Sequence, residues 1–205
     1  MTHATTFHWL GNLPCLDFVN TEAMADGERV DLLVGFGGLV GWLTEAGFLT
    51  DAGAKAALER WEGKTEGASA LRQAVAFRQG LRRIVERLSE GKSPPADEVE
   101  LINRILAERT THARLVRKAG GYALTQVAER ESALQLLAPV ADSAAWLLTE
   151  ADLGLLRRCE NPQCILYFYD TTRNGRRRWC SMAGCGSRAK AAAYYRRQRS
   201  GKRRS

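Results

Sequence analysis

Cys159 and Cys164 are separated by four residues, Cys180 and Cys185 by another four, and fifteen residues lie between the two pairs. Two short loops that each offer two thiols are the donor set of a tetrahedral Zn²⁺ site, because the metal lowers the thiol pKa and binds sulfur at about 2.3 Å. The alternative, four buried thiols acting as small apolar side chains, does not account for two matched pairs within 27 residues. Four thiolates close the coordination shell, so the expected role is one structural Zn²⁺ and not a catalytic one. Nuclease chemistry needs a histidine base, and His3, His8 and His112 all lie outside this segment. Cys15, alone in an apolar run, is expected in the core.

Between the pairs, ILYFYD is β-prone, TTRNG holds an Asn-Gly turn signal and RRRWCS is expected as the return strand. After Cys185, SRAKAAAYYRRQR is rich in alanine and arginine and is expected to be helical. Knuckle, hairpin, then a ligand pair at a helix start is the order of a treble-clef finger. Such a small module gathers its folding energy from the metal.

The same segment is strongly basic. Residues 155–205 hold fourteen Lys and Arg against Glu160 and Asp170, a net charge of +12, while residues 1–154 sum to −5. Arginine outnumbers lysine twelve to two there, and its planar fork suits phosphate and guanine edges. The candidate nucleic-acid contacts are Arg173, Arg176, Arg177 and Arg178 at the hairpin turn, with Arg188, Lys190, Arg196, Arg197 and Arg199 on the last helix. Tyr194 and Tyr195 could stack on bases or on the finger itself. A solubilising tail, or one docked on the acidic body, is the competing reading. Membrane binding is disfavoured, since the last helix has alanines where a deep apolar face needs Leu, Phe or Trp.

The positioning elements are mainly helical. Residues 7–20 are expected to be extended, with a turn before Leu16. A stripe of Leu32, Leu33, Phe36, Leu39, Val40 and Leu43 predicts a helix from Asp31 to a stop at Gly47, and a second runs over residues 51–61 with Asp51 as its cap. GKTEGAS is expected to be a loop. Residues 69–90 form the clearest helix, with Leu71, Val75, Leu81, Ile84, Val85 and Leu88 on one face and Arg or Gln on the other. Ser93, Pro94 and Pro95 start the next helix, the segment around Gly120 and Gly121 is a hairpin, and residues 128–152 form a helix bent at Pro139. The fold class is therefore mainly α with small β-hairpins (α+β). It divides into a helical domain, residues 1–154, and a Cys₄ finger, residues 155–205. No run of about 18 apolar residues and no signal-like amino terminus is present, so the expected location is cytoplasmic, with nucleoid association when DNA is bound.

WCSMAGCGSR resembles the signature of the CGNR zinc-finger proteins, RRCENPQCILYFYDTTRNGRRRWC is similar to that family's first cysteine pair and hairpin, and LDFVNT resembles the opening of the ABATE domain that precedes such fingers. The resemblance implies a stress-induced bacterial transcription regulator with a helical amino-terminal domain and a DNA-binding treble clef. It carries the metal ligands to Cys159, Cys164, Cys180 and Cys185 and the signature arginine to Arg188. Ser187 stands where the family name has Asn; its hydroxyl can still cap the helix. For the input, Asn20, Thr21 and Arg29 are the candidate small-molecule pocket, against the plainer reading that Asn and Thr close a turn. Oxidation of the thiolates is a second conceivable input. The leading function is a zinc-dependent DNA-binding regulator, stress- or ligand-responsive and compatible with a homodimer. The alternatives are a non-specific RNA-binding protein and an enzyme in the helical domain, and the body has no nucleophile–base pair or phosphate loop to support the latter. Asp17, Glu22, Asp26 and Glu28 are expected to be isolated surface acids.

Overall fold

The structure is a computed structural model that describes residues 6–109, 111–128 and 132–201; the side chains of residues 111, 112, 126–128 and 199–201 fall outside that description. The chain is organised by one long helix. Expected over residues 69–90, it runs Thr65–Ser89, which at 1.5 Å per residue spans about 37 Å. It starts earlier because Gly67 lets it cross the preceding helix end closely: a Cβ there would collide with the Trp61 carbonyl oxygen. Five of the seven residues of the predicted GKTEGAS loop are therefore helix.

Six further α-helices surround or extend this axis among the described residues. The first, α1 (Pro14–Val19), replaces the expected extended segment, because Pro14 lies in its first turn, where the missing N–H costs nothing. It is followed by β1 (Glu22–Ala25) and β2 (Glu28–Asp31), an antiparallel hairpin that was not among the expected elements. Asp26 and Gly27 both take positive φ, 50° and 87°, as a tight two-residue hairpin turn requires. Next, α2 (Gly35–Glu45) begins four residues later than predicted, since the Asp31 carboxylate accepts from the Leu33 N–H and is held elsewhere. In α3 (Asp51–Trp61) the cap is Thr50 in place of Asp51, its hydroxyl accepting from the Gly53 N–H at 3.1 Å.

The long helix is α4, and α5 (Ala96–Ala107) follows it, starting after Pro95 without a side-chain cap from Ser93. The predicted hairpin is present as β3 (Thr111–Lys118) and β4 (Gly121–Ala128). The helix expected over residues 128–152 is shorter. Residues 129–131 lie outside the described set, a 3₁₀ turn spans Ala133–Leu137, and α6 (Ala138–Thr149) takes Pro139 into its first turn, so the proline starts the helix where a bend was expected.

One apolar core unites the helices α1 to α6. Phe18, Leu39, Trp42, Leu43, Phe77, Leu81, Ile84, Leu137, Val140 and Leu147 are all buried in it, each of the aliphatics worth roughly 1.5–3 kcal/mol. Leu156 and Tyr167, from the cysteine-rich segment, belong to this same cluster. Cys15 is in it too, as expected. Burial pushes its thiol up to about 12, so it is chemically quiet. No helix among the described residues is long and apolar enough to cross a membrane.

Candidate metal centre and nucleic-acid face

After a 3₁₀ turn at Leu153–Leu155, β5 (Leu156–Arg158) leads into the first cysteine pair and β6 (Tyr167–Tyr169) leaves it. These two strands pair with each other, Leu156 opposite Tyr169 and Arg158 opposite Tyr167. The hairpin therefore encloses the first knuckle, whereas the sequence pointed to RRRWCS as the partner of ILYFYD. Residues 170–179 form a bent loop organised by a buried carboxylate. Asp170 accepts from the Thr172 N–H at 2.9 Å, the Thr172 hydroxyl at 2.6 Å and the Arg177 N–H at 2.7 Å. Burial raises its pKa, but these donors win and hold it below the usual carboxylate value.

Of the second cysteine pair, Cys185 sits on a π-helical turn, Met182–Gly186, which feeds α7 (Ser187–Gly201), and Cys180 lies just before that turn's cap, Ser181. Capping is done by Ser181, whose hydroxyl accepts from the Gly184 N–H, while the Ser187 hydroxyl donates back to the Met182 carbonyl. The four Sγ atoms lie within 4.8 Å of one another, with Cys164 to Cys180 at 3.8 Å and Cys180 to Cys185 at 3.6 Å. A tetrahedron of sulfurs about 2.3 Å from a central ion has edges of about 3.8 Å, so the four cysteines form a closed zinc site of the structural type.

Donors surround the sulfurs. The Cys180 N–H points at Cys159 Sγ, while the Asn161 amide and the Arg188 guanidinium both point at Cys185 Sγ, the last at 3.2 Å. Cys164 and Cys180 also donate toward Cys159, which holds the Cys159 thiol low and pushes theirs up. A central cation takes the place of those shared protons and favours all four thiolates.

The basic residues divide by what they touch. Arg177 is structural: its guanidinium lies 4.1 Å over the Phe168 ring and donates to the carbonyls of Trp179, Cys180 and Leu10. Arg178 pairs with Glu160 and covers the Trp179 ring. Arg188 is exposed yet committed to Cys185. Arg173, Arg176 and Lys190 are exposed and make no side-chain hydrogen bond or ion pair among the described residues. Arg196 and Arg197 are exposed on α7, and the side chain of Arg199 lies outside the described residues. Tyr194 and Tyr195 are exposed, their rings edge to face at 5.7 Å.

Residues expected to line a ligand pocket are used otherwise. Asn20 is fully buried and clamps β6: its Nδ2 donates to the Tyr167 carbonyl at 2.8 Å and its Oδ1 accepts from the Tyr167 N–H at 3.0 Å. Thr21 donates to the Phe18 carbonyl and accepts from Arg78, and Arg29 is a surface partner of Glu22. None of the three lines a described cavity. The cavity nearest the metal site, about 560 Å³, lies between the β1–β2 turn and the finger and is bounded by His8, Met24, Asp26, Cys185 and Arg188.

Two functional residues were hidden in what looked like the polar face of α4. Arg78 and Arg82 are buried, 3% and 7% exposed. Arg78 makes a two-pronged pair with Asp31, both contacts 2.6 Å. Arg82 donates to the carbonyls of Val19 at 2.8 Å, Glu22 at 3.2 Å and Ile165 at 3.0 Å. Its Nε also lies 3.0 Å from the Glu22 carboxylate, within ion-pair reach but without hydrogen-bond alignment. With Tyr169 N–H donating to the Gly11 carbonyl and the Asn12 amide to the Tyr169 carbonyl, the segment preceding β1 is a socket for the finger. Only the Arg78–Arg82 spacing of four residues, bordering the apolar stripe, hinted at this.

Asp17 and Glu22 are thus not free surface acids. Burial pushes Asp17 up to about 6, against N–H donors from Gly11 and Leu10 and the nearby Arg177 charge. Its folded-state pKa exceeds its ordinary 3.8, so the folded chain binds the extra proton between about pH 4 and 6, and stability falls as pH rises through that window. The full effect is roughly 3 kcal/mol. Asp17→Asn keeps an acceptor for Gly11 and removes the titration. Its melting temperature minus that of the parent is expected to climb from pH 4 to 6.5 and then level off; a difference independent of pH would refute an ionised, desolvated Asp17. Asp31 and Asp170 oppose this trend but are common to both proteins and cancel.

A family model described as ABATE, "Putative stress-induced transcription regulator", matches residues 12–151, and a model of the CGNR zinc finger matches residues 156–198. A search of curated proteins finds no match. Neither matched model is of an enzyme. A helical body spanning the first match, and four cysteines gathered in the second, agree with both, and the chain belongs to the ABATE family and carries a CGNR zinc finger.

Proposed function

We propose that the protein is a zinc-dependent, DNA-binding transcription regulator, with residues 155–205 as the binding module and residues 1–154 as the domain that receives the signal. The observation that carries this reading is the set of exposed arginines and Lys190 that the metal-organised loop and α7 present, on a finger whose strands are fastened to the body core. Within that set Arg173 and Arg176 are the leading phosphate or base-edge contacts, followed by Lys190, Arg196 and Arg197, and the sequence adds Arg199. Arg177 serves the loop's shape, and Arg178 and Arg188 would reach DNA only by leaving Glu160 and Cys185. Because Asn20 and Arg82 join finger to body through buried bonds, a signal that moves α1 or β1 would be felt at the metal site. The cellular site implied is the cytoplasm.

The test is selection of fragments from a sheared genomic pool by the zinc-loaded full chain at about 0.15 M salt, where nonspecific phosphate attraction is weakened. Enrichment of a shared short motif is expected. Arg173→Ala with Arg176→Ala should weaken binding to that motif at least tenfold and lower the salt slope by about 2, near one unit for each phosphate no longer neutralised. Flat recovery from the DNA pool, or preferential retention of RNA, would overturn the proposal.

A further inference from the structure

The hairpin of β3 and β4 has no evident structural duty. Its eight-residue strands pair along their whole length, from Thr111 opposite Ala128 to Lys118 opposite Gly121, and among the described residues neither strand pairs with a third. Two strands alone are marginal in water unless something covers a face. Yet Leu115, Tyr122 and Leu124 are 63%, 70% and 69% exposed. Register places Leu115 opposite Leu124 and Arg117 opposite Tyr122, so all four share one face; Arg114 and Lys118 occupy the other.

Charge narrows the choice of partner. The hairpin carries Arg114, Arg117 and Lys118 and no acid, although the 154 residues around it sum to −5. Arg109, just before it, is already paired with Asp142. A second copy's hairpin would bring like charges together. The contact would also be small: a ribbon about 27 Å long and about 10 Å wide offers roughly 270 Å² per partner, well under the roughly 800 Å² of a stable interface. A polyanion answers the first objection, and a duplex also held by the finger does not depend on the ribbon for its whole contact area. The major groove of a duplex, about 12 Å wide, admits a two-stranded ribbon, where apolar side chains meet thymine methyls and sugar walls while basic ones reach phosphates on either side.

We propose that β3–β4 is a second nucleic-acid contact, a basic ribbon that enters a groove of the DNA duplex beside the site held by the finger. It rests on DNA as the partner but on different residues, so the two can fail separately. The experiment titrates a duplex of about 30 base pairs with zinc-loaded full-length proteins over 0.05–0.3 M salt, measuring Kd and salt slope, with sedimentation of each protein alone. The proteins are the parent, Arg114→Ala/Arg117→Ala/Lys118→Ala, and Arg173→Ala/Arg176→Ala. The ribbon variant is expected to keep the parent's melting temperature and sedimentation, bind at least tenfold more weakly at 0.1 M salt and lose 2–3 units of salt slope. Parent-like Kd and slope in that variant would overturn the ribbon and leave the finger standing. Loss in the ribbon variant without loss in the finger variant would support the ribbon and overturn the finger's role. A parent dimer that becomes a monomer in the ribbon variant would reassign the hairpin to self-association, and a parent that binds no duplex would overturn both.

Discussion

Arg82→Ala is expected to destabilise the protein by about 3–5 kcal/mol, because one truncation strands the carbonyls of Val19, Glu22 and Ile165 and leaves the Glu22 carboxylate without its buried cation. Burial already disfavours the charge on Arg82 and lowers its pKa, which is tolerable while its terminal N–H groups are bonded to carbonyls and the Glu22 carboxylate lies beside its Nε. The effect should extend beyond global stability. Ile165 stands between Cys164 and the Leu166 whose carbonyl accepts from the Cys159 N–H, so releasing it loosens the first knuckle. Urea unfolding should show the loss, and a chromophoric chelator should extract zinc faster from Arg82→Ala than from the parent. Lysine should not rescue, since a single ammonium cannot span acceptors on three segments. A change under about 1 kcal/mol with unaltered zinc release would mean the finger is not held through α4.

Removing the metal, or Cys180→Ser, is expected to be the larger perturbation for the finger and a smaller one for the body. The finger's own buried cluster is Ala23, Leu166, Phe168 and the four cysteines, so more than half of it is ligand. Metal binding supplies structural zinc sites with roughly 10–16 kcal/mol at neutral pH, and no apolar contact here substitutes for it. With a strong chelator, the environment of Trp179 should change as residues 159–188 unfold, and nucleic-acid affinity should fall to what residues outside the finger supply. Helical circular dichroism from α2 to α6 should largely persist. The body should still melt lower, because Asn20 and Arg82 lose the backbone they hold in β6 and at Ile165. Acid should mimic the chelator by protonating the thiolates. An unchanged Trp179 signal after verified zinc loss would show that the finger is folded by other means.

Local chemistry written in adjacent residues was legible from the sequence. The cysteine spacing named the metal site, since a knuckle's geometry is settled within six residues; the apolar stripes gave α2, α4 and α5 because a helix repeats its own pattern; a capping signal gave α3; and Gly120–Gly121 marked a turn. Even the unexpected β1–β2 hairpin has its turn written locally, as the adjacent pair Asp26–Gly27. What only the tertiary structure decided was the pairing of distant groups. Whether Arg78 and Arg82 meet solvent or acceptors 47 to 83 residues away depends on where α1, β2 and the finger come to rest, and a helical pattern assigns them to the polar side in either case. For the same reason the sequence offered Asn20 either a pocket or a turn, and did not show that it clamps the Tyr167 backbone. Strand pairing across the knuckle, β5 with β6, was likewise decided by the core that buries Leu156 and Tyr167, a long-range burial that outweighs the local turn signal at Asn174–Gly175.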